Sequence, residues 1–204
     1  MDQTRVLVTG GCGFIGTSIV SALVSTKKYA VTAIDINPPS LGSTSFTHTV
    51  RYVRCDILDV SSLHTVFSEA QPAIVIHTVG AYLLGTMRYS TTKGREAIFK
   101  VNVDGTRNVL KASKECGAKG LVYTSSVTVV MDKLDQDFRN VDETWPVGDV
   151  DTSYGLSKVN MIPSIFPRKI TLLVIREGEE SNHSVLCIRS LNISIVRVVI
   201  TTLP

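Results

Sequence analysis

The 204-residue sequence predicts an α/β protein built on a doubly wound parallel sheet. Three observations carry that expectation. Short β-branched runs alternate with helically spaced segments down to about residue 160, the pattern of consecutive βαβ units. A glycine-rich turn joins the first strand to the first helix. An acidic residue closes the second strand, at the edge where such a sheet opens its crevice.

RVLVTG (5–10) is a β-branched run ending in glycine, and residues 14–26 follow with Ile15, Ile19, Leu23 and Val24 near one helix face. AVTAID (30–35) and VRYVRC (50–55) supply the second and third strands. SSLHTVFSEA (61–70) is helical, and AIVIHT (73–78) reads as a fully buried strand. REAIFKVNVDGTRNVLKASKECGA (95–118) predicts one long helix, because Ile98, Val101, Gly105, Val109, Ala112 and Cys116 recur at three- or four-residue steps. Gly117 is its stop. GLVYTSS (120–126) is the fifth strand. Right-handed crossovers with one switch point give these five strands the order 3-2-1-4-5.

Residues 127–153 are polar and turn-rich, as expected of a loop over the strand ends. The helix that begins in SYGLSK meets Pro163, which lacks an amide donor and costs about 3 kcal/mol inside a helix; Pro167 follows. The change of character near residue 160 separates a nucleotide-binding unit, 1–160, from a divergent tail, 161–204. That tail is expected to add one further strand, with ITLLVIRE (170–177) and SVLCIRSLNI (184–193) as candidates.

Hydrophobic residues make up 44% of the chain, enough for one real core, and a dispersed net charge of +3 argues against nucleic acid. Charges fall within the first five residues, and no run reaches the ~18 uninterrupted apolar residues of a membrane helix. A cytoplasmic protein without a transmembrane segment is therefore expected. Cys12, Cys55, Cys116 and Cys187 form no CxxC pair and read as reduced thiols. The histidines are scattered and suggest no metal site.

VLVTGGCGFIG places Gly10, Gly13 and Gly16 between the first strand and first helix. Gly10 suits a tight turn, Gly13 lets backbone approach a pyrophosphate, and Gly16 lets the helix pack on the sheet. Phe14 and Ile15 open the same helix N-terminus, where phosphates are favoured. Asp35 ends the second strand, 19 residues beyond Gly16. Its carboxylate can accept both ribose hydroxyls, and no basic residue at 11, 12, 36 or 37 would neutralise a 2′-phosphate. NAD is expected over NADP.

TGGCGFIG, CDILD (55–59), VNVDGTRNVL (101–110), VYTSS (122–126) and YGLSK (154–158) together resemble an extended short-chain dehydrogenase/reductase. More closely, they resemble its 3β-hydroxysteroid dehydrogenase branch, which includes sterol-4α-carboxylate 3-dehydrogenases. The resemblance covers about residues 4–160 and implies a Rossmann-type fold. It implies adenine contacts from Asp56 and Ile57, and a nicotinamide ribose lined by His77, Thr78 and Val79. It puts Ser126, Tyr154, Lys158 and Asn102 in the catalytic set, with Asn102 buttressing the fourth strand and its helix. Ser126 is preferred to Ser125.

Tyrosine alone, with a pKa of about 10, is a poor base near neutrality. Lys158, one turn on, is expected to favour the phenolate, so that Tyr154 takes the alcohol proton while Ser126 holds the reacting oxygen. The implied substrate is a small sterol-like molecule. The resemblance also points to the cytosolic face of the endoplasmic reticulum and is compatible with a homodimer.

Beyond residue 160 the family continues its helix, adds a sixth strand and then a substrate domain. Here only 11 residues follow Ile193, so the substrate domain is expected to be largely absent and the C-terminus truncated or altered. Three alternatives stay open: a non-catalytic NAD-binding module, an inactive truncated product, and a sugar-nucleotide epimerase or dehydratase sharing the glycine loop and YxxxK pair.

Overall fold

The computed structural model describes residues 3–39, 47–82, 92–129, 150, 152–161, 171–174 and 197–202. β1 (Thr4–Thr9) is the centre from which the sheet grows. Val6, Leu7 and Val8 are all buried, because both faces of a parallel strand are covered. β2 (Tyr29–Asp35) pairs parallel to one side of β1, and β4 (Ile74–His77) parallel to the other. β3 (Arg51–Arg54) extends the sheet beyond β2, and β5 (Gly120–Thr124) beyond β4, both parallel. The expected order 3-2-1-4-5 is the observed one.

One face packs under α1 (Phe14–Ser25), where Ile19, Val20 and Leu23 meet Val6, Val8, Val31 and Ala33. The opposite face carries Leu7, Ile34, Val75, Leu121 and Tyr123 against α2 (Val60–Ala70) and α4 (Thr106–Glu115), through Leu63, Phe67, Val109 and Ala112. α2 starts where Asp59 accepts the Ser62 amide at 3.0 Å, an N-cap of the usual kind.

The helix expected over 95–118 is not a single α-helix. α3 (Thr92–Phe99) passes into a π-helical stretch, Lys100–Gly105, before α4. A wider turn keeps the three- and four-residue apolar rhythm on either side, so periodicity alone does not expose it. α4 closes at Gly117, whose φ is +74°, as expected. α5 (Ser153–Val159) forms a regular pair of turns ending at Asn160.

The tail contributes two strands rather than one. β6 (Thr171–Val174) falls within the first candidate, and β7 (Arg197–Thr202) lies outside both. β7 is antiparallel to β5 and to β6, giving the sheet order β3-β2-β1-β4-β5-β7-β6. The β-branched run from Val198 to Thr202 signals a strand there, though not its pairing. Pro163, Pro167, Cys187, the strand expected over 184–193 and most of the loop over 127–153 lie outside the described residues. Among the described residues no helix is long and apolar enough to cross a membrane.

Candidate active site

The glycine turn is held from below: the Gly10 and Gly11 amides both donate to the Ile34 carbonyl, at 2.8 and 3.1 Å. Gly10 has φ +69°, a conformation open to glycine at little steric cost. Gly16 is set by space instead, since a Cβ there would lie 2.0 Å from the Gly10 carbonyl oxygen. Gly13 is the N-cap of α1 and offers no side chain to its amides. The helix N-terminus is left open to an anion.

Asp35, at the end of β2, accepts the Cys12 amide on Oδ2 at 3.2 Å and the Asn37 amide on Oδ1 at 3.1 Å. These bonds fix the carboxylate beside the glycine loop. A groove of about 480 Å³ runs along this edge, bordered by Gly10, Gly13, Phe14, Ile15, Gly16, Asp35, Asp56, Ile57, Thr78, Val79 and Gly80. Asp56 accepts the Leu58 amide at 2.9 Å, which turns the chain from β3 toward α2 and sets Ile57 against the groove.

His77 does not reach the groove. It is completely buried, with Nδ1 bonded to Thr9 Oγ1 and Nε2 to Thr106 Oγ1 at 2.8 Å. Burial, reinforced by Lys158, pushes its pKa down to about 3. The next residue, Thr78, does border the groove and donates to the Thr9 carbonyl at 2.8 Å. A strand sends successive side chains to opposite sides, and the expectation for His77 placed it one side wrong.

Tyr154 and Lys158 lie beside Gly80, at the border of the groove. Thr152 caps α5 by accepting the Gly155 amide at 3.1 Å, and Tyr154 and Lys158 follow one helical turn apart. Ser126 bonds to the Tyr154 hydroxyl and accepts from Thr128 Oγ1 at 2.9 Å. Ser125 Oγ is buried with no hydrogen-bond partner among the described residues, so the geometry favours Ser126. Lys158 is 2% exposed; its Nζ donates to the Thr124 carbonyl at 3.1 Å and lies 4.8 Å from the Tyr123 ring centroid. Tyr82 packs edge-on to Tyr154 at 5.1 Å. Gly80 brings groove and pair together, since a Cβ there would lie 3.2 Å from Lys158 Nζ and 3.9 Å from the Tyr154 hydroxyl.

Lys158 does not bring the Tyr154 pKa below its ordinary value in the folded chain. That pKa is raised: burial dominates, the Ser126 bond opposes it, and Tyr82 adds to it. Burial also lowers Lys158 to about 8. The ammonium sits 5.7 Å from the centre of the Tyr154 ring, and the loss of water dominates the Tyr154 shift.

Asn102 is fully buried, and its side-chain bonds go to Ala81 and Ser157 rather than to the Tyr154 hydroxyl or Lys158 Nζ. Its Oδ1 accepts the Ala81 amide at 2.6 Å, while Nδ2 donates to the Ala81 carbonyl at 3.0 Å and to Ser157 Oγ at 2.9 Å. It therefore positions the segment after β4 against α5. Gly11, Gly80, Thr106 and Ser157 also build the site and were not singled out from the sequence. Gly11, Thr106 and Ser157 stood inside segments already marked, but their tertiary contacts, not their residue types, give them their place; Gly80 is set by its closeness to Lys158.

Residues 7–160 match the model of the 3-beta hydroxysteroid dehydrogenase/isomerase family. An uncharacterized protein of Frog virus 3 is 38% identical over 133 residues, 63% of this chain and 34% of that protein. A decarboxylating sterol-4-alpha-carboxylate 3-dehydrogenase of Schizosaccharomyces pombe is 33% identical over 152 residues, 74% of this chain and 41% of that enzyme. The chain thus spans well under half the length of these relatives. The crystal structure of a Thermus thermophilus UDP-glucose 4-epimerase complexed with NAD superposes with a TM-score of 0.64 at 25% identity, covering 80% of this chain and 52% of that one. With its family match running unbroken from the first strand through the Tyr154–Lys158 helix, the chain belongs to the 3-beta hydroxysteroid dehydrogenase/isomerase family.

Proposed function

We propose that the chain binds NAD and uses it to oxidise the 3β-hydroxyl of a sterol-like small molecule. The observation that carries this reading is the junction at Gly80, where the nucleotide groove opens onto Lys158 Nζ and the Tyr154 hydroxyl. The residues present fit the dinucleotide. A cradle of three glycines has no room for a Cβ at Gly16, α1 begins without a side-chain cap, and a carboxylate stands at Asp35 to receive ribose hydroxyls. Thr78 and Val79 would border the nicotinamide ribose, and Asp56 and Ile57 the adenine. The cofactor, when bound, supplies the hydride acceptor and a positive charge.

The chain's own residues move the proton. Tyr154 Oη, deprotonated, would take the hydrogen of the substrate alcohol. Ser126 would donate to the same oxygen and hold the carbon in line for hydride departure. Lys158 keeps a cation one turn away, which would hold Tyr154 as the phenolate before it takes the proton. On a 3β-hydroxy-4α-carboxysterol, the ketone so formed would be a β-keto acid, which loses carbon dioxide without another protein group.

A sugar-nucleotide epimerase is the second reading, favoured by the fold shared with the Thermus enzyme. Calorimetry with NAD and NADP, followed by turnover assays, separates the two. The proposal expects NAD to bind more tightly than NADP, and a 3β-hydroxysteroid to reduce NAD stoichiometrically. Interconversion of a sugar nucleotide without net NAD reduction would support the epimerase instead. Binding without either turnover would mark a nucleotide-binding module.

A further inference from the structure

A set of buried and part-buried hydrogen bonds, joined through Asn102, runs from the strand before the glycine loop to the helix of Tyr154 and Lys158. Each proton along it can be placed. Thr106 Oγ1 donates to the Asn102 backbone carbonyl at 2.6 Å, which commits its single hydrogen. It must therefore accept from His77, whose Nε2 lies 2.8 Å away and carries the proton. In a neutral imidazole Nδ1 is then an acceptor, and Thr9 Oγ1 donates to it. Beyond Asn102 the order continues. Its Nδ2 donates to Ser157 Oγ at 2.9 Å, and Ser157 donates to the Tyr154 carbonyl at 2.7 Å.

The link at Thr106 falls where the π-helical stretch ends and α4 begins. Such a stretch disturbs the regular backbone ladder, and the Thr106 hydroxyl gives the Asn102 carbonyl a side-chain donor. The imidazole also reaches the pair by a second route. It stacks on Tyr123 with centroids 5.7 Å apart and planes at 24°, and Lys158 Nζ sits 4.8 Å from that same ring.

We propose that His77 is a positioning residue for Tyr154 and Lys158, acting through Thr106, Asn102 and Ser157 on the backbone of α5 and through the Tyr123 ring on the ammonium. It does so as the Nε2–H tautomer. The inference rests on reading Tyr154 and Lys158 as the reacting pair, but its test reads the hydrogen bonds themselves. The charged or titratable groups facing the imidazole are Lys158 and Tyr123, and neither is an anion that would draw a second proton onto the ring.

Nitrogen-15 NMR of the full chain, labelled at histidine, should show His77 with a protonated Nε2 and an acceptor Nδ1. That signature should persist from about pH 7.5 to about pH 5, across the ordinary histidine range. An Nδ1–H tautomer, or an imidazolium at neutral pH, overturns the proposal. Thr106→Val keeps the side-chain shape and removes the hydroxyl. Exchange of the Asn102 side-chain amide protons should then quicken at least roughly tenfold. The ionisation midpoint of Tyr154, followed by phenolate absorbance, should shift, and Thr106→Ser should restore both. A folded Thr106→Val chain with both readouts unmoved overturns the proposal. The tautomer measurement uses the unaltered chain, so it decides even where the variant does not fold. A chain showing the tautomer and the Thr106 effects, yet binding no NAD, supports the positioning role and sinks the proposed function.

Discussion

At Tyr154, burial holds the proton on while the proposed chemistry needs it off. Lys158 and the charge of bound NAD are left to close that gap. Tyr154→Phe should therefore lower dehydrogenase turnover by roughly 10²–10⁴-fold while leaving the NAD binding constant close to that of the unaltered chain, as calorimetry would show. Asp35→Ala should weaken NAD and narrow its advantage over NADP, measured the same way. The acid side belongs to His77. Its folded pKa lies well below the ordinary value of 6.5, so between about pH 3 and that value the unfolded chain binds the extra proton. Its contribution is fully present above about pH 6.5 and is lost as the pH falls below it. Urea midpoints of the unaltered chain and of His77→Gln should accordingly converge on acidification. At this scale the sequence was readable where backbone conformation dictates residue type, as at Gly10, or where two side chains must share a helix face, as at Tyr154 and Lys158. It was not readable where the same residue can point either way, because a histidine at a strand end looks identical whether it meets the groove or the core.

The first turn of α1 lies almost on the loop before it, the tightest approach that a Cβ would meet at any of the described glycines. Gly16→Ala would place a methyl 2.0 Å from the Gly10 carbonyl oxygen, so helix or loop must move. The expected result is destabilisation of about 1–3 kcal/mol, read by urea unfolding, together with loss of NAD binding. The first five strands were legible because each is a short β-branched run bounded by turn residues. The π-helical stretch was not, because it alters the backbone ladder between two segments whose apolar spacing stays helical. Its purpose becomes visible once Asn102 is seen bonded to both Ala81 and Ser157, contacts between residues remote in sequence.

For the whole molecule, the handedness of consecutive crossovers sufficed to order five strands. The placement of β6 and β7 lay beyond that rule, since antiparallel pairing across a long separation leaves no local mark. If the groove between Asp35 and Gly80 is the NAD site, saturation should stabilise the entire cooperative unit. At a free concentration 100 times the dissociation constant, the gain is about 2.7 kcal/mol, to be seen as a raised thermal midpoint. Unchanged melting at that concentration would count against the site.

The sheet order carries a kinetic consequence. Among the described strands, β6 has β7 as its neighbour, and β7 is the one that meets β5. Although β6 comes first along the chain, it cannot dock until β7 has closed the long loop back to β5, and distant closures are slow. Assembly at this edge must run against the order of synthesis. In a refolding pulse-labelling experiment, amides of Thr171–Val174 should gain protection no earlier than those of Arg197–Thr202, and a ribosome still holding residues 197–202 should carry a chain whose β5 edge is bare.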